Sequence, residues 1–415
     1  MLDLRQIRDD PDGAKAALAR RGLDADAVDE LLDADARRRE LLPELERLRA
    51  EKNRASKRIG ELQREGQDAS EAIAEVRSVG EREKSLEAEI GAAESRRDEL
   101  LVALPNLPDP SAPAEDEVLR EVGEVGASGR DHLELLGPLV DLEAGGRVAG
   151  SRFAYLKGPL VRLEFALVQW ALDVLEGKGF TPVVPPVLVR EEALFGTGFL
   201  PDTEQQIYRV PDDDLYLAGT SEVPLASLHG GEILGEDELP LRYAGFSTCF
   251  RREAGAAGKD TRGIFRVHQF DKVEMFAFVV PEESEAEHER LLAIEEELLR
   301  ALEIPYRVVN IAVDDLGASA AKKYDLEAWL PGQERYRELT SCSNTTDFQA
   351  RRLDARYRPA EGKGPRHLHT LNGTAVAVGR TIIALVENHQ REDGTIAVPA
   401  VLRPFGAPAE IAAPG

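Results

Sequence analysis

Two stretches near the start of the chain carry apolar residues at alternating intervals of four and three. The first runs from Leu41 to Leu62 and the second from Ile73 to Leu104, with a polar break at 65–70. Heptad spacing is typical of coiled coils, and the short break predicts that two helices fold back as an antiparallel pair. Helices of about 35 residues would each be roughly 50 Å long. Pro43 is expected in the first turn of its helix or at a kink.

The rest of the chain alternates between strand-like and helix-like patterns. Proline and acidic residues at 105–117 predict a linker between an arm at 1–104, with a helical base near 1–30, and a body at 118–415. The body should be an α+β fold on a mainly antiparallel β-sheet flanked by helices. The predicted strands lie near 241–250, 264–280, 305–312, 337–348 and 366–374, and the predicted helices near 159–177, 283–302 and 376–391.

The charge of the chain changes sign locally in the predicted arm. The 415 residues carry a formal net charge of −25, which argues against a general binder of nucleic acid and against DNA as a partner. Residues 37–64 instead hold ten Lys or Arg against five Glu. This basic stretch is either an RNA-binding surface or an ordinary solvated helix face.

Several classes of protein do not fit this composition. No apolar run approaches the roughly 20 residues that cross a membrane, and the charged N-terminus MLDLRQIRDD lacks a secretory pattern. The two cysteines, Cys249 and Cys342, are too few for a disulfide framework or a cysteine-based zinc site. We therefore expect a cytoplasmic protein without a membrane partner.

The segment 246–276 carries unusual chemistry for a hairpin. With a period of two, charged and aromatic side chains share one strand face, and Arg251 and Glu253 share a face on the strand before it. The charged face of the second strand consists of Arg266, His268, Phe270, Lys272 and Glu274. Such faces are often cross-strand ion pairs on a solvated surface. Arginines beside a carboxylate and an aromatic ring also suit a polyanionic ligand with a flat ring.

A resemblance favours the second interpretation. FRxEAG, DTRG, RxHQF and KVE occur together at about 244–278, which resembles motif 2 of the class II aminoacyl-tRNA synthetases in the form found in seryl-tRNA synthetases. Residues 159–190 resemble motif 1, the dimer interface of that family, although a plain helix–strand unit of the core fits equally well. Residues 366–391 resemble motif 3. The family's coiled-coil arm binds the long variable arm of tRNA(Ser), whereas the heptads alone also fit a spacer or a dimerisation element.

The resemblance implies roles for named residues. Arg251 and Arg380 would be catalytic. Glu338 and Ser341 would bind Mg²⁺. The basic residues Arg47, Arg54, Lys57 and Arg58 would contact tRNA. L-serine would be bound by Thr220, Ser221, Glu222, Arg251, Glu274 and Thr374. ATP would be bound by Arg251, Arg252, Glu253, Arg266, Val267, Phe270, Glu338, Leu339, Thr340, Ser341 and Arg380.

The implied function is that of a homodimeric serine–tRNA ligase. It would form seryl-adenylate and pyrophosphate from serine and ATP, and then charge tRNA(Ser), with tRNA(Sec) as a further acceptor. Two alternatives remain: a relative that charges a carrier-protein thiol, and a non-catalytic RNA-binding paralogue. Thr340–Ser343 and Thr345 depart from the family's common residues near the serine pocket, which leaves open an inhibitor-resistant duplicate.

Overall fold

The computed structural model describes residues 1–126, 128–201, 206–254, 260, 262–362 and 364–413. The chain folds into two compact units: residues 2–107, and residues 108–415 together with Met1. No described helix is both long enough and apolar enough to cross a membrane. Most of the motif 2 loop, residues 255–259 and 261, lies outside the described residues.

The first unit is an antiparallel helical hairpin on a short helical base, as the heptads predict. Its helices are α1 (Leu4–Asp9), α2 (Pro11–Ala19), α3 (Asp26–Arg64) and α4 (Ser70–Ala103). Leu41 and Leu45 of α3 pack against Ile90 of α4. Two charged residues at heptad positions pair across the hairpin, with Lys52 Nζ 2.6 Å from Glu83 Oε2.

Three details of the predicted hairpin need correction. Pro43 lies inside α3, because the helix begins at Asp26 rather than near Leu41. Ile73 is 50% exposed, whereas its neighbour Ala72 is buried. The buried positions are therefore offset by one residue from the heptad assigned to that end of α4. In the same way Leu101 is buried rather than Leu100.

The second unit is an α+β body, as predicted, and its main sheet has eight strands. The sheet order is β1-β11-β12-β13-β16-β10-β9-β4, antiparallel except for the parallel pair β4–β9. Its strands are β1 (Glu117–Val122), β4 (Thr181–Val183), β9 (Leu241–Phe250), β10 (Gln269–Val279), β11 (Tyr306–Asn310), β12 (Lys322–Leu330), β13 (Arg335–Asn344) and β16 (His369–Ala377). The smaller strands are β2 (Val140–Asp141), β3 (Tyr155–Leu156), β5 (Leu188–Val189), β6 (Tyr208–Val210), β7 (Leu215–Leu217), β8 (Ile233–Gly235), β14 (Arg356–Arg358), β15 (Arg366–His367), β17 (Ile396–Ala397) and β18 (Glu410–Ile411).

Helices cover the sheet and leave one region open. They are α5 (His132–Leu136), α6 (Leu142–Ala149), α7 (Pro159–Glu176), α8 (Glu191–Thr197), α9 (Glu222–Ala226), α10 (Ser284–Ala301), α11 (Phe348–Leu353) and α12 (Val378–Asn388). Val273, Met275 and Ala277 of β10 share a large apolar core with α7, α10 and α12. On the opposite face, Phe276 and Phe278 form a second cluster with residues of α9 and α11. Phe270, Lys272 and Glu274 share that opposite face and lie toward the cleft described below.

The predicted strands are confirmed with shifted ends, and two strands of the main sheet, β1 and β12, were missed. The strand predicted at 264–280 begins only at Gln269, so Arg266 and His268 precede it. The strand β12 was missed because Lys323, Asp325 and Glu327 on one of its faces are charged residues of low strand propensity. Its opposite face is buried. The strand β1 begins at Glu117, at the end of the predicted linker, and pairs with β11.

Candidate active site

One cleft brings together most of the residues predicted to bind nucleotide. It lies where the ends of β9 and β10 meet β13, β16 and the start of α12. Its lining residues are Arg251, Glu253, Ile264, Phe265, Arg266, Val267, Phe270, Lys272, Glu338, Leu339, Thr374, Ala377, Gly379 and Arg380. Motif 2 around β9–β10 and motif 3 around β16–α12 therefore meet in space, together with Glu338 and Leu339 of β13.

Arg251 lies just beyond the end of β9 and faces the aromatic ring of β10. Its Nε donates to the carbonyl oxygen of Gly219 at 3.1 Å, and its guanidinium carbon lies 5.3 Å from the centre of the Phe270 ring. The predicted alternation of Arg251 and Glu253 on a strand is wrong. The strand β9 ends at Phe250, and Glu253 has a left-handed φ of 51°, because the chain turns there.

The predicted phosphate ligand Arg266 is paired with two acids. Its Nη1 donates to Glu253 Oε2 at 2.6 Å, and its Nε lies 3.5 Å from Asp260 Oδ2. Asp260 also accepts from both terminal nitrogens of Arg337, at 2.9 and 2.8 Å, and this contact lowers the pKa of Asp260. Arg252, another predicted ATP ligand, is exposed and does not line the cleft. Its backbone N–H donates to the carbonyl of Gln206 at 2.8 Å.

An aromatic ring that the sequence analysis missed lies between two arginines. The guanidinium carbons of Arg337 and Arg380 lie 3.9 and 4.6 Å from the centre of the Phe265 ring. Arg380 also donates through Nη1 to the carbonyl of Glu338 at 3.0 Å. The motif 3 arginine is thus stacked on an aromatic ring in the cleft. In the strand predicted at 264–280, Phe265 falls on the face opposite Arg266 and Phe270, so the period-two pattern gave no reason to place it here. The observed strand begins only at Gln269.

The predicted serine-binding groups surround a buried lysine. Lys272 Nζ donates to Thr220 Oγ1 at 2.8 Å and forms an ion pair with Glu274, and all three side chains are buried. Glu274 lies opposite Thr374 in the pairing of β10 with β16. Lys272 falls on this strand face in the predicted alternation, but no role was predicted for it.

Two buried acids at this end of the cleft have raised pKa values. Burial raises the pKa of Glu274. Burial, and next repulsion from Glu274, raises the pKa of Glu222 to about 7. Glu222 accepts at Oε1 from Gln349 Nε2 at 2.7 Å and from Asn372 Nδ2 at 3.1 Å. These two amides were also missed, because they lie more than a hundred residues along the chain from Glu222.

Two predicted ligands turn their hydroxyl groups away from the cleft. Ser221 Oγ lies 2.8 Å from Ser247 Oγ on β9, and Thr340 Oγ1 donates to the buried Glu295 of α10 at 2.8 Å. Their side chains therefore do not point at a ligand in this structure. Binding of serine by Ser221 and of ATP by Thr340 stays a prediction that would have to involve their backbone groups.

A bulge in β13 explains how Glu338 and Ser341 share a face. A spacing of three places residues of a regular strand on opposite faces. The register of β12 with β13 shifts between Leu326 and Glu327, so that Thr340 pairs with Leu326, Glu338 pairs with Glu327, and Leu339 is the extra residue. Glu338 and Ser341 therefore face the same side.

These two residues have the donor chemistry expected of a magnesium site. A carboxylate and a hydroxyl are hard oxygen ligands, and Mg²⁺ usually takes most of its remaining ligands from water and phosphate oxygens. Across the described residues, no group of three or more His, Cys, Asp or Glu is arranged to hold a metal ion. The pair fits an ion that binds together with a nucleotide.

Ion pairs within the hairpin neutralise most of the basic stretch on α3. Arg37, Arg38, Arg49 and Lys52 pair with glutamates of α4, and Arg47 pairs with Glu44 and Glu51 of its own helix. Among the residues that the structure describes, Arg54, Lys57 and Arg58 are exposed and form no ion pair within 4.0 Å. These three residues, next to the turn at 65–69, are named the arm cluster.

The fold and the cleft define the catalytic core of a class II aminoacyl-tRNA synthetase. Residues 207–389 match the family model of the tRNA synthetase class II core domain (G, H, P, S and T), and residues 1–108 match that of the seryl-tRNA synthetase N-terminal domain. The chain is 51% identical to a serine–tRNA ligase of Streptomyces coelicolor, covering 100% of this chain and 99% of that one. It is 52% identical to one of Nocardia farcinica, covering 98% of both.

Solved structures agree with this assignment. The seryl-tRNA synthetase of Pyrococcus horikoshii, complexed with ATP, superposes with a TM-score of 0.94 at 44% identity and covers 100% of both chains. The cytoplasmic serine–tRNA ligase of Naegleria fowleri, in complex with AMP, gives a TM-score of 0.90 at 32% identity, covering 100% of this chain and 99% of that one. The chain therefore belongs to the seryl-tRNA synthetase family, and the ATP-dependent aminoacyl-tRNA ligase predicted from the motifs is confirmed.

Proposed function

We propose that this protein activates L-serine with ATP and transfers the seryl group to tRNA(Ser), with tRNA(Sec) as a second acceptor. A serine carboxylate oxygen attacks the α-phosphorus, the bond from that phosphorus to the bridging oxygen breaks, and pyrophosphate leaves. A ribose hydroxyl of the terminal adenosine then attacks the seryl carbonyl and releases AMP. The observation that carries this proposal is the convergence of Arg251, Phe270, Glu338, Thr374 and Arg380 on one cleft.

The first step needs positioning and charge compensation rather than a base. The attacking carboxylate is already an anion, so no residue has to remove a proton from it. Arg251 would grip the serine carboxylate and the α-phosphate together, because a guanidinium donates to two oxygens at once. Phe270 would stack on adenine, and Arg266 and Arg380 would meet the outer phosphates. Their present acidic partners would give way to phosphate oxygens.

At the amino-acid end, three groups of serine have candidate partners. The ammonium would go to Glu274 and Thr220, with Glu222 in support, and Lys272 would give up these acceptors when serine enters. The hydroxyl would bind Thr374, which lies beside Glu274 across the β10–β16 pair. A site built to bond a hydroxyl rejects an analogue without it, because a buried polar group is left unpaired.

Glu338 and Ser341 would hold Mg²⁺ against the nucleotide phosphates. The ion, when bound, supplies positive charge that offsets the charge of the phosphates and of the pyrophosphate leaving group. Glu338 also keeps the motif 3 arginine in place, since Arg380 Nη1 lies 3.3 Å from its Oε2. Its two roles therefore link the metal to the arginine that meets the outer phosphates.

The hairpin would bind tRNA, chiefly through the arm cluster. Arg54, Lys57 and Arg58 lie on the last turns of α3 and offer unpaired positive charge to a phosphate backbone. Arg47 is a weaker candidate than expected, because Glu44 accepts from its guanidinium and Glu51 forms an ion pair with it. A cytoplasmic location stays a prediction from the sequence.

A second copy of the chain would cover the outer face of α7, which is part of the segment that resembles motif 1. Val161 and Phe165 of this helix are exposed, as are Val184 and Leu188 on the segment that follows it. The opposite side of α7 is already buried in the core. A helix that is apolar on both sides is typical of one buried on both sides.

Serine-dependent ATP–pyrophosphate exchange and charging of tRNA(Ser) test the function. We expect exchange with serine and aminoacylation of the tRNA. Exchange with alanine should be weaker by a factor of about one hundred or more. An absence of exchange with every amino acid would refute the proposal. Transfer of serine to a carrier-protein thiol, without charging of tRNA, would favour the carrier-charging relative instead.

A further inference from the structure

A connected set of buried polar side chains lies behind the proposed serine site. Gln349, on the first turn of α11, is completely buried. Its Nε2 donates to Glu222 Oε1 at 2.7 Å and to the carbonyl oxygen of Thr197 at 3.2 Å. Its Oε1 accepts from Thr370 Oγ1 at 3.0 Å, and Thr345 Oγ1 lies 3.4 Å away. One glutamine thus joins four elements of the chain.

The surroundings of Gln349 allow one orientation of its amide. Two acceptors, a carboxylate and a carbonyl, lie on the Nε2 side, and two hydroxyl groups lie on the Oε1 side. The hydroxyls of Thr345 and Thr370 are themselves 2.6 Å apart, and Thr345 donates to the carbonyl of Thr370 at 2.7 Å. Reversing the amide would place its oxygen against the carboxylate of Glu222 and the carbonyl of Thr197, which are both acceptors. The network therefore holds Gln349 firmly.

Gln349 in turn fixes the carboxylate of Glu222. The amides of Gln349 and Asn372 both donate to the same oxygen, Oε1. Glu222 is buried in a region of mixed charge, where Glu274 repels it and Lys272 and Arg251 attract it. Without the two amide donors the carboxylate would have no reason to keep one orientation. With them, Oε1 is held by two donors, and Oε2 is the oxygen left for another partner.

We propose that Gln349 is a positioning residue for the amino-acid substrate, acting through Glu222 on the α-ammonium group. The inference rests on the proposed function, because it needs an ammonium group next to Glu222. It also gives Thr345 a role at the far end of the network. Thr345 is one of the positions at which the chain departs from the family's common residues.

The direct test replaces Gln349 by methionine, which keeps the volume and removes every hydrogen bond. We expect the KM for serine in pyrophosphate exchange to rise about 10- to 100-fold, since a buried carboxylate loses a donor. The KM for ATP should stay within about twofold, because none of the contacts of Gln349 reaches the nucleotide cleft. Gln390→Met is the matched control, since Gln390 bonds to Arg130 and Glu387 away from the cleft.

A second variant separates positioning from packing. In Gln349→Glu, the new carboxyl donates to Glu222 while it is protonated, and the two acids repel each other when both are ionised. The ratio of variant to wild-type serine KM should therefore rise between about pH 6 and about pH 8. A glutamine that only filled space would give a ratio that does not vary with pH.

Active-site titration and thermal unfolding normalise each variant for the folded fraction. Serine and ATP KM values that change in parallel, or a serine KM that Gln349→Met leaves unchanged, would overturn the inference. A wild-type protein that shows no serine-dependent exchange would instead refute the proposed function. The two failures are therefore distinguishable.

Discussion

At the scale of single residues, the cations of the cleft already have partners that the substrates would replace. Arg266 pairs with Glu253 and Asp260, and Lys272 pairs with Glu274 and Thr220. A buried charge without a partner is costly, so these pairs keep the cleft folded before substrates arrive. When the substrates bind, phosphate oxygens replace the acids as partners of Arg266, and the serine ammonium replaces Lys272 as the partner of Glu274.

Arg251 is the residue for which a change should be most costly. In Arg251→Lys, a single ammonium replaces the fork that would hold the carboxylate and the α-phosphate in line. We expect kcat/KM for pyrophosphate exchange to fall about 100- to 1000-fold, which is typical for the loss of one preorganised donor. Arg209→Lys is a matched control, because Arg209 lies over Tyr216 much as Arg251 lies over Phe270. A loss below about threefold would contradict the assigned role.

The raised pKa of Glu222 predicts how serine activation depends on pH. Its pKa of about 7 means that the carboxyl gains a proton as the pH falls through 7 and then no longer attracts an ammonium. The kcat/KM for serine should therefore fall by up to about tenfold for each pH unit below 7. In Glu222→Gln the change near pH 7 should disappear, because the glutamine amide does not titrate in this range. A wild-type profile that is flat between about pH 6 and about pH 8 would contradict this assignment.

At the scale of elements, alternation along strands predicted part of the cleft and failed where strands are irregular. Phe270, Lys272 and Glu274 share a face because β10 is regular there. The common face of Glu338 and Ser341 depends on a bulge, and a spacing of three carries no sign of it. Their assignment came from a resemblance rather than from the periodicity. The contact of Gln349 with Glu222 depends on tertiary packing alone.

The helix α3 offers a test that separates its basic residues. The triple variant Arg54→Glu, Lys57→Glu, Arg58→Glu reverses the arm cluster and leaves the ion pairs of the hairpin intact. We expect kcat/KM for tRNA(Ser) to fall about 100-fold, from roughly 1 kcal/mol per lost phosphate contact. Pyrophosphate exchange should be unchanged, because that reaction needs no tRNA.

Salt dependence gives an independent check on the same helix. Each lost phosphate contact should reduce the slope of log affinity against log salt by somewhat less than one. Arg403→Glu, an exposed change in the body of the protein, is the control. Full charging activity in the triple variant would show that the arm cluster is an ordinary solvated surface.

At the scale of the whole molecule, the acidity of the chain and its local basic patch act together. A net charge of −25 repels nucleic acid in general, so productive encounters with RNA depend on local groups of cations that have no acidic partner within the protein. The hairpin carries such cations at one end, whereas most of its other basic residues are paired with acids of the same hairpin. Specificity for one class of RNA then follows from where the free charges lie rather than from their number.

Dimerisation is the remaining prediction at this scale, and Phe165 is the residue to change. Its side chain is 56% exposed on α7, next to the exposed Val161, while the other side of the helix is packed in the core. In a dimer, Phe165→Glu would place an unpaired charge in an apolar interface, which costs several kcal/mol. We expect sedimentation velocity to show a dimer for the wild-type chain and a monomer for the variant. Ile73→Glu, a change at an equally exposed apolar residue of the hairpin, should leave the dimer intact. A Phe165→Glu protein that sediments as a dimer would exclude this face of α7 as the interface.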